Sequence, residues 1–70
     1  MNKLAKDMSK VYRNTSSAEL VRNRMKKTAL LYRVKQMHTY WAKKEVARLE
    51  HMIKQIDVEL AARAAQQPLF

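Results

Sequence analysis

The sequence predicts an all-α protein, and three observations carry that reading. It has no glycine and one proline, Pro68, in 70 residues, so the positive-φ turns of β-hairpins lack their usual residue. Ala, Leu, Lys, Arg, Gln, Met and Glu make up most of the chain, and these are the strong helix formers. Apolar residues also return at intervals of three and four, the helical period. The architecture expected is a short N-terminal helix followed by a helical hairpin or one long helix, with a coiled-coil-like association seam. A chain this short makes a single domain that buries only about 60% of its unfolded surface. Without cysteine it has neither a disulfide framework nor a thiolate zinc site. The support expected is therefore a second copy, as a homo-oligomer, or a place as a subunit of a larger complex.

Residues 1–15 read as a short basic amphipathic helix or arm. Leu4, Met8, Val11 and Tyr12 form one stripe, Asn2 can cap its start, and Asn14 suits a left-handed residue at its end. Ser16 precedes Glu19 at capping-box spacing and opens the basic helix of residues 16–44. From Ser17 to about Ala65 there is no proline and only Asn23 and Asp57 as mild breakers. Read literally, that is one helix of about 70 Å; the alternative is a hairpin turning near His38–Lys44.

The apolar register bears on this choice. Ala42, Val46, Leu49, Ile53, Ile56 and Leu60 step 4-3-4-3-4, an a/d seam along the amphipathic association helix of residues 45–67. Leu30, Val34, Met37 and Trp41 step 4-3-4 on another face and serve as core or as an apolar docking stripe. A change of face means a turn, or a helix with partners on two sides. Pro68 turns Gln67 away from helix, leaving residues 68–70 as a tail that carries Leu69 and Phe70.

Charge is the strongest functional signal. The chain carries a net +9, and it is unevenly spread. Residues 16–44 hold eight basic residues and one acid, whereas residues 45–70 hold three basic residues and four acids. Such a concentration repels itself in a small fold, and an acidic partner relieves it. The candidate binding residues are Arg22, Asn23, Arg24, Lys26, Lys27, Arg33, Lys35, Lys43 and Lys44, with Lys3, Lys6 and Lys10 as an auxiliary arm. On one continuous helix, Arg22, Lys26, Arg33 and Lys44 fall within about 40° of each other and could follow one phosphate strand. Arg24 and Lys35 lie nearly opposite and need a different partner. Asn23, between two arginines, is a candidate reader of base edges.

Other motifs carry less. Tyr32, Tyr40 and Trp41 sit among cations, as in proteins that stack single-stranded bases, but the spacing from Leu30 to Trp41 favours a core role for the tryptophan. His38 and His51 are far apart with no carboxylate to complete a ligand set, so neither a metal nor any other cofactor is expected. No arrangement of nucleophile and base is present, and the chain reads as non-enzymatic with no small-molecule substrate. No apolar run approaches the roughly 20 residues of a membrane span, the cations ring more of the helix than a membrane-lying helix needs, and no secretory signal opens the chain. The expected location is cytoplasmic. The stretch Ala29-Leu30-Leu31-Tyr32-Arg33 resembles the tripeptide signature of the LYR family, small mitochondrial three-helix proteins serving respiratory and iron–sulfur assembly. The following Val34-Lys35-Gln36-Met37 departs from the leucines, arginine and phenylalanine with which that family continues, so no site residue is carried over from it.

Two functions fit. The first is a small self-associating accessory or regulatory protein that binds DNA or RNA through phosphate contacts, with Val46, Leu49, Ile53, Ile56 and Leu60 as its seam. The second is a helical adaptor or inhibitor that sets its basic face on an acidic surface of a larger protein. The stripe Leu30, Val34, Met37 and Trp41 discriminates them: buried in the protein's own bundle it favours the first, exposed beside the cations it favours the second.

Overall fold

A computed structural model describes residues 7–66 of the chain. They form three helices and no strand: α1 (Ser9–Arg13), α2 (Ser17–Lys35) and α3 (Tyr40–Gln66). Helices α2 and α3 pack against each other as an antiparallel hairpin, and α1 lies against α3. The chain therefore turns, at Gln36–Thr39, at the early edge of the window the sequence marked. Asn2, Lys3, Leu4, Lys6 and Gln67 to Phe70 lie outside the described residues.

Each helix boundary has a local cause. Ser16 is extended and its hydroxyl accepts from the Glu19 N–H at 3.2 Å, half of the expected capping box. The Glu19 carboxylate turns instead to Arg22, 3.3 Å away. Helix α2 ends without glycine or a left-handed residue: Gln36 keeps φ −85° and ψ −6°, and the Gln36 and Met37 N–H groups bond to the Arg33 and Val34 carbonyls. This tightened last turn satisfies carbonyls a helix end would otherwise orphan. Thr39 then starts α3, its hydroxyl accepting from the Ala42 N–H at 3.0 Å, which is N-cap geometry.

Five residues are too few for a helix to hold itself, and α1 is clamped at both ends by α3. At its start, Gln55 accepts from the Met8 N–H and donates to Asp7, while the Ser9 N–H and hydroxyl both donate to Asp7. These bonds, those from Ser9 first, hold the Asp7 carboxyl below the ordinary range. At its end, the Arg63 guanidinium donates to the carbonyls of Tyr12, Arg13 and Thr15 and to the Ser17 hydroxyl, and pairs with Glu59. Asn14 is not left-handed, with φ −96° and ψ 9°. With Arg63 capping the carbonyls, α1 needs no left-handed terminus.

The core is two small clusters strung along the hairpin. Tyr12, Leu20 and Ile56 join all three helices, with Met8 and Leu60 beside them. Val34, Ala42 and Leu49 close the turn end, with Leu31 and Val46 beside them. Along the seam read from the sequence, Ala42, Leu49 and Ile56 are buried in the chain's own core, Val46 and Leu60 pack against it, and Ile53 is half-buried.

Candidate interaction surface

Folding back at Gln36 redistributes the expected basic patch. Arg22, Lys26 and Arg33 remain together on the outward side of α2, all exposed. Lys44 leaves that row because it now belongs to α3, which runs in the opposite direction. Its ammonium sits 4.8 Å from the centre of the Tyr40 ring, a cation–π contact. Arg24 and Lys35, read as lying opposite the row, meet acids of α3: Arg24 makes two hydrogen bonds to Asp57 and Lys35 lies 3.7 Å from Glu50. The Asp57 carboxylate pushes the Arg24 guanidinium further up.

Asn23 and Lys27 point to a third side. Both are half-buried, and Lys27 donates to the Asn23 carbonyl at 2.6 Å, so Asn23 spends that oxygen within α2. Burial, with the nearby charge of Arg48, lowers the Lys27 ammonium below its ordinary value. Arg48 itself is held by Glu45, and that hydrogen bonding lowers the Glu45 carboxyl. Among the described residues, Lys26, Lys27, Arg33, Lys43 and Lys44 of the candidate set have no ion-pair partner.

The discriminating stripe divides. Val34 is buried, while Leu30, Met37 and Trp41 are exposed. Trp41 is 58% exposed, which corrects its expected role as a core anchor. The reason is the turn: Trp41 opens a new helix whose inward line starts at Ala42, and one residue rotates a side chain about 100° off that line. Tyr32 and Tyr40 are exposed as well.

Around the turn these residues enclose a depression of about 260 Å³ lined by Val34, Met37, Ala42 and Val46 below and by Lys35, His38 and Lys43 at its edge. It is an apolar floor with a cationic rim. The first turn of α3 beside it contains no acid, so its exposed N–H groups add partial positive charge. A second hollow, of about 330 Å³, lies between α1 and α3 and is lined by Ser9, His51, Lys54, Gln55, Val58 and Glu59, away from the cationic row.

One exposed feature escaped the sequence reading. Val21, Met25, Thr28 and Tyr32 step 4-3-4 along α2, and all four are exposed. The signal was present in the spacing, but the charged residues between them and the stronger stripe at Leu30–Trp41 hid it.

No helix among the described residues is long and apolar enough to cross a membrane. Among the same residues no three His, Asp or Glu side chains gather as a metal-holding group. No family model, curated protein or solved structure matches the chain. The tripeptide Leu31-Tyr32-Arg33 is split by the fold, with Leu31 packed on the core and Tyr32 and Arg33 turned outward.

Proposed function

We propose that this protein is a non-enzymatic helical adaptor or inhibitor that docks on an acidic, partly apolar surface of a larger protein. The observation that carries this reading is the exposure of Leu30, Met37 and Trp41 beside unpaired cations. Phosphates give such side chains nothing to bind, whereas a protein partner removes their apolar surface from water. Methionine suits that task because its flexible thioether repacks on varied shapes. The cations at the rim steer an acidic partner and fix its register.

A second reading is kept for one specific observation. The outward row Arg22, Lys26 and Arg33, with Lys43, Lys44 and the exposed Tyr40 and Trp41, offers phosphate contacts and stacking surfaces to DNA or RNA.

Salt separates the two. A Met37→Gln/Trp41→Gln double variant keeps every charge and both helices. Wild-type protein immobilised at several hundred millimolar salt is expected to retain a protein partner that the double variant loses. Binding to duplex DNA, single-stranded DNA or RNA is expected to remain in the range of about 10⁻⁴–10⁻⁶ M at physiological salt. Much tighter nucleic-acid binding, unchanged by the double variant, would give the function to the second reading.

A further inference from the structure

The adaptor reading leaves open which face the partner covers, and the outward side of α2 answers that question. Val21 is 46%, Met25 66% and Tyr32 70% exposed, with Thr28 between them on the same line. Their 4-3-4 spacing is the a/d seam of a helix that expects a neighbour. The inward side of the same helix is already satisfied by Leu20, Leu31 and Val34. Helix α2 therefore has two apolar lines and only one of them is covered. Lys35, three residues beyond Tyr32, belongs to the rim of the turn depression, so the uncovered line leads into that hollow. From Val21 to Gln36 the track is about 24 Å long, four turns of a partner helix.

The flanks of the track specify charge. On one side lie Arg22, Lys26 and Arg33, of which Lys26 and Arg33 have no ion-pair partner among the described residues. On the other, Arg24 and Lys35 are neutralised by Asp57 and Glu50. A second copy of this +9 chain would bring cations against cations along one flank. A helix with an apolar seam and acids along one edge meets both flanks without conflict.

We infer that the outward line of α2, from Val21 through Met25, Thr28 and Tyr32 to the turn depression, is the docking track for an acidic amphipathic helix of a partner protein. This rests on the adaptor reading and adds its location and the partner's chemistry.

The test uses the whole chain and a fluorescein-labelled synthetic peptide of about three heptads, with Leu and Ile at the a and d positions and Glu along one edge. A scrambled peptide of the same composition and a labelled oligothymidylate serve as comparisons, all followed by anisotropy at physiological salt. Saturable binding of the heptad peptide is expected, with the scrambled peptide weaker. A Met25→Gln/Tyr32→Gln variant, which keeps the charge and replaces only exposed residues, should weaken binding at least about tenfold. Circular dichroism checks that it remains folded. Equal binding of the heptad peptide to wild type and variant would move the site off α2 while sparing the adaptor reading. Equal binding of both peptides would reduce the attraction to charge alone and overturn the track. Binding of the oligothymidylate with no binding of either peptide would overturn the track and the adaptor reading together.

Discussion

Tyr12 touches both the core and the polar machinery. Its ring is 1% exposed between Leu20 and Ile56, yet its hydroxyl is buried without a hydrogen-bond partner. Leaving such a group unpaired costs about 1–3 kcal/mol, so Tyr12→Phe is expected to stabilise the fold by about 1 kcal/mol. That corresponds to a rise in Tm of roughly 4–8 °C for a chain of this size. Burial also pushes the phenol above its ordinary value, with Arg48 opposing. A raised folded value means that the stability it reflects is whole below the unfolded value, near 10, and is lost as pH rises through the folded one. Thermal melts of both proteins across that alkaline range should show the wild type losing this part and the phenylalanine variant keeping it. Tyr12 was legible in the sequence as an apolar position from its spacing with Met8. Its missing hydroxyl partner was not, because that depends on α3 passing overhead.

At the scale of elements, the helical character of the long stretch after Ser16 was readable, its division into α2 and α3 was left open, and the short α1 was readable only partly. Ala42, Leu49 and Ile56 were legible as one apolar line, since a heptad step keeps side chains on one face, but that line was read as an association seam and the structure is what places these three in the core. The turn escaped a firm reading because it uses neither glycine nor asparagine: Gln36 stays in ordinary helical space and Thr39 supplies the cap. A threonine three residues before an alanine carries no distinctive pattern, unlike Ser16 before Glu19. The clamp on α1 was invisible for a different reason. Arg63 reaches back about fifty residues to the carbonyls of Tyr12, Arg13 and Thr15, and no periodicity encodes a contact at that separation. Charge-assisted hydrogen bonds contribute about 1.5–3 kcal/mol each when well made, though several on one guanidinium do not add. Arg63→Ala is therefore expected to cost about 1–3 kcal/mol. Hydrogen exchange should speed up at the Tyr12, Asn14 and Thr15 amides well before those of α2 and α3 respond.

At the scale of the whole molecule, the fold is a slab of 49 × 28 × 15 Å with a radius of gyration of 13.9 Å, against about 11 Å for a globule of this length. A sheet of helices this thin has two broad faces and little between them. That geometry explains how side chains as large as Trp41, Tyr32 and Met25 come to lie outside, and why the candidate interface was only half legible: spacing tells which residues share a line, but not which line the hairpin will use. It also sets how the molecule fails. A core this small supplies no more than about 3–5 kcal/mol, and removing a large buried aliphatic costs about 2–5 kcal/mol. Ile56 is fully buried where all three helices meet, so Ile56→Ala is expected to leave much of the chain unfolded at 25 °C. Trp41→Ala removes a larger side chain from an exposed place and should leave the fold intact. Helical circular dichroism at 222 nm, followed through a urea titration of each variant, measures both. A midpoint unchanged in Trp41→Ala and lost in Ile56→Ala would put the structural weight on the inward line and leave the tryptophan for a partner. The reverse result would mean that Trp41 is packed in solution, and the exposed stripe on which the adaptor reading stands would not exist.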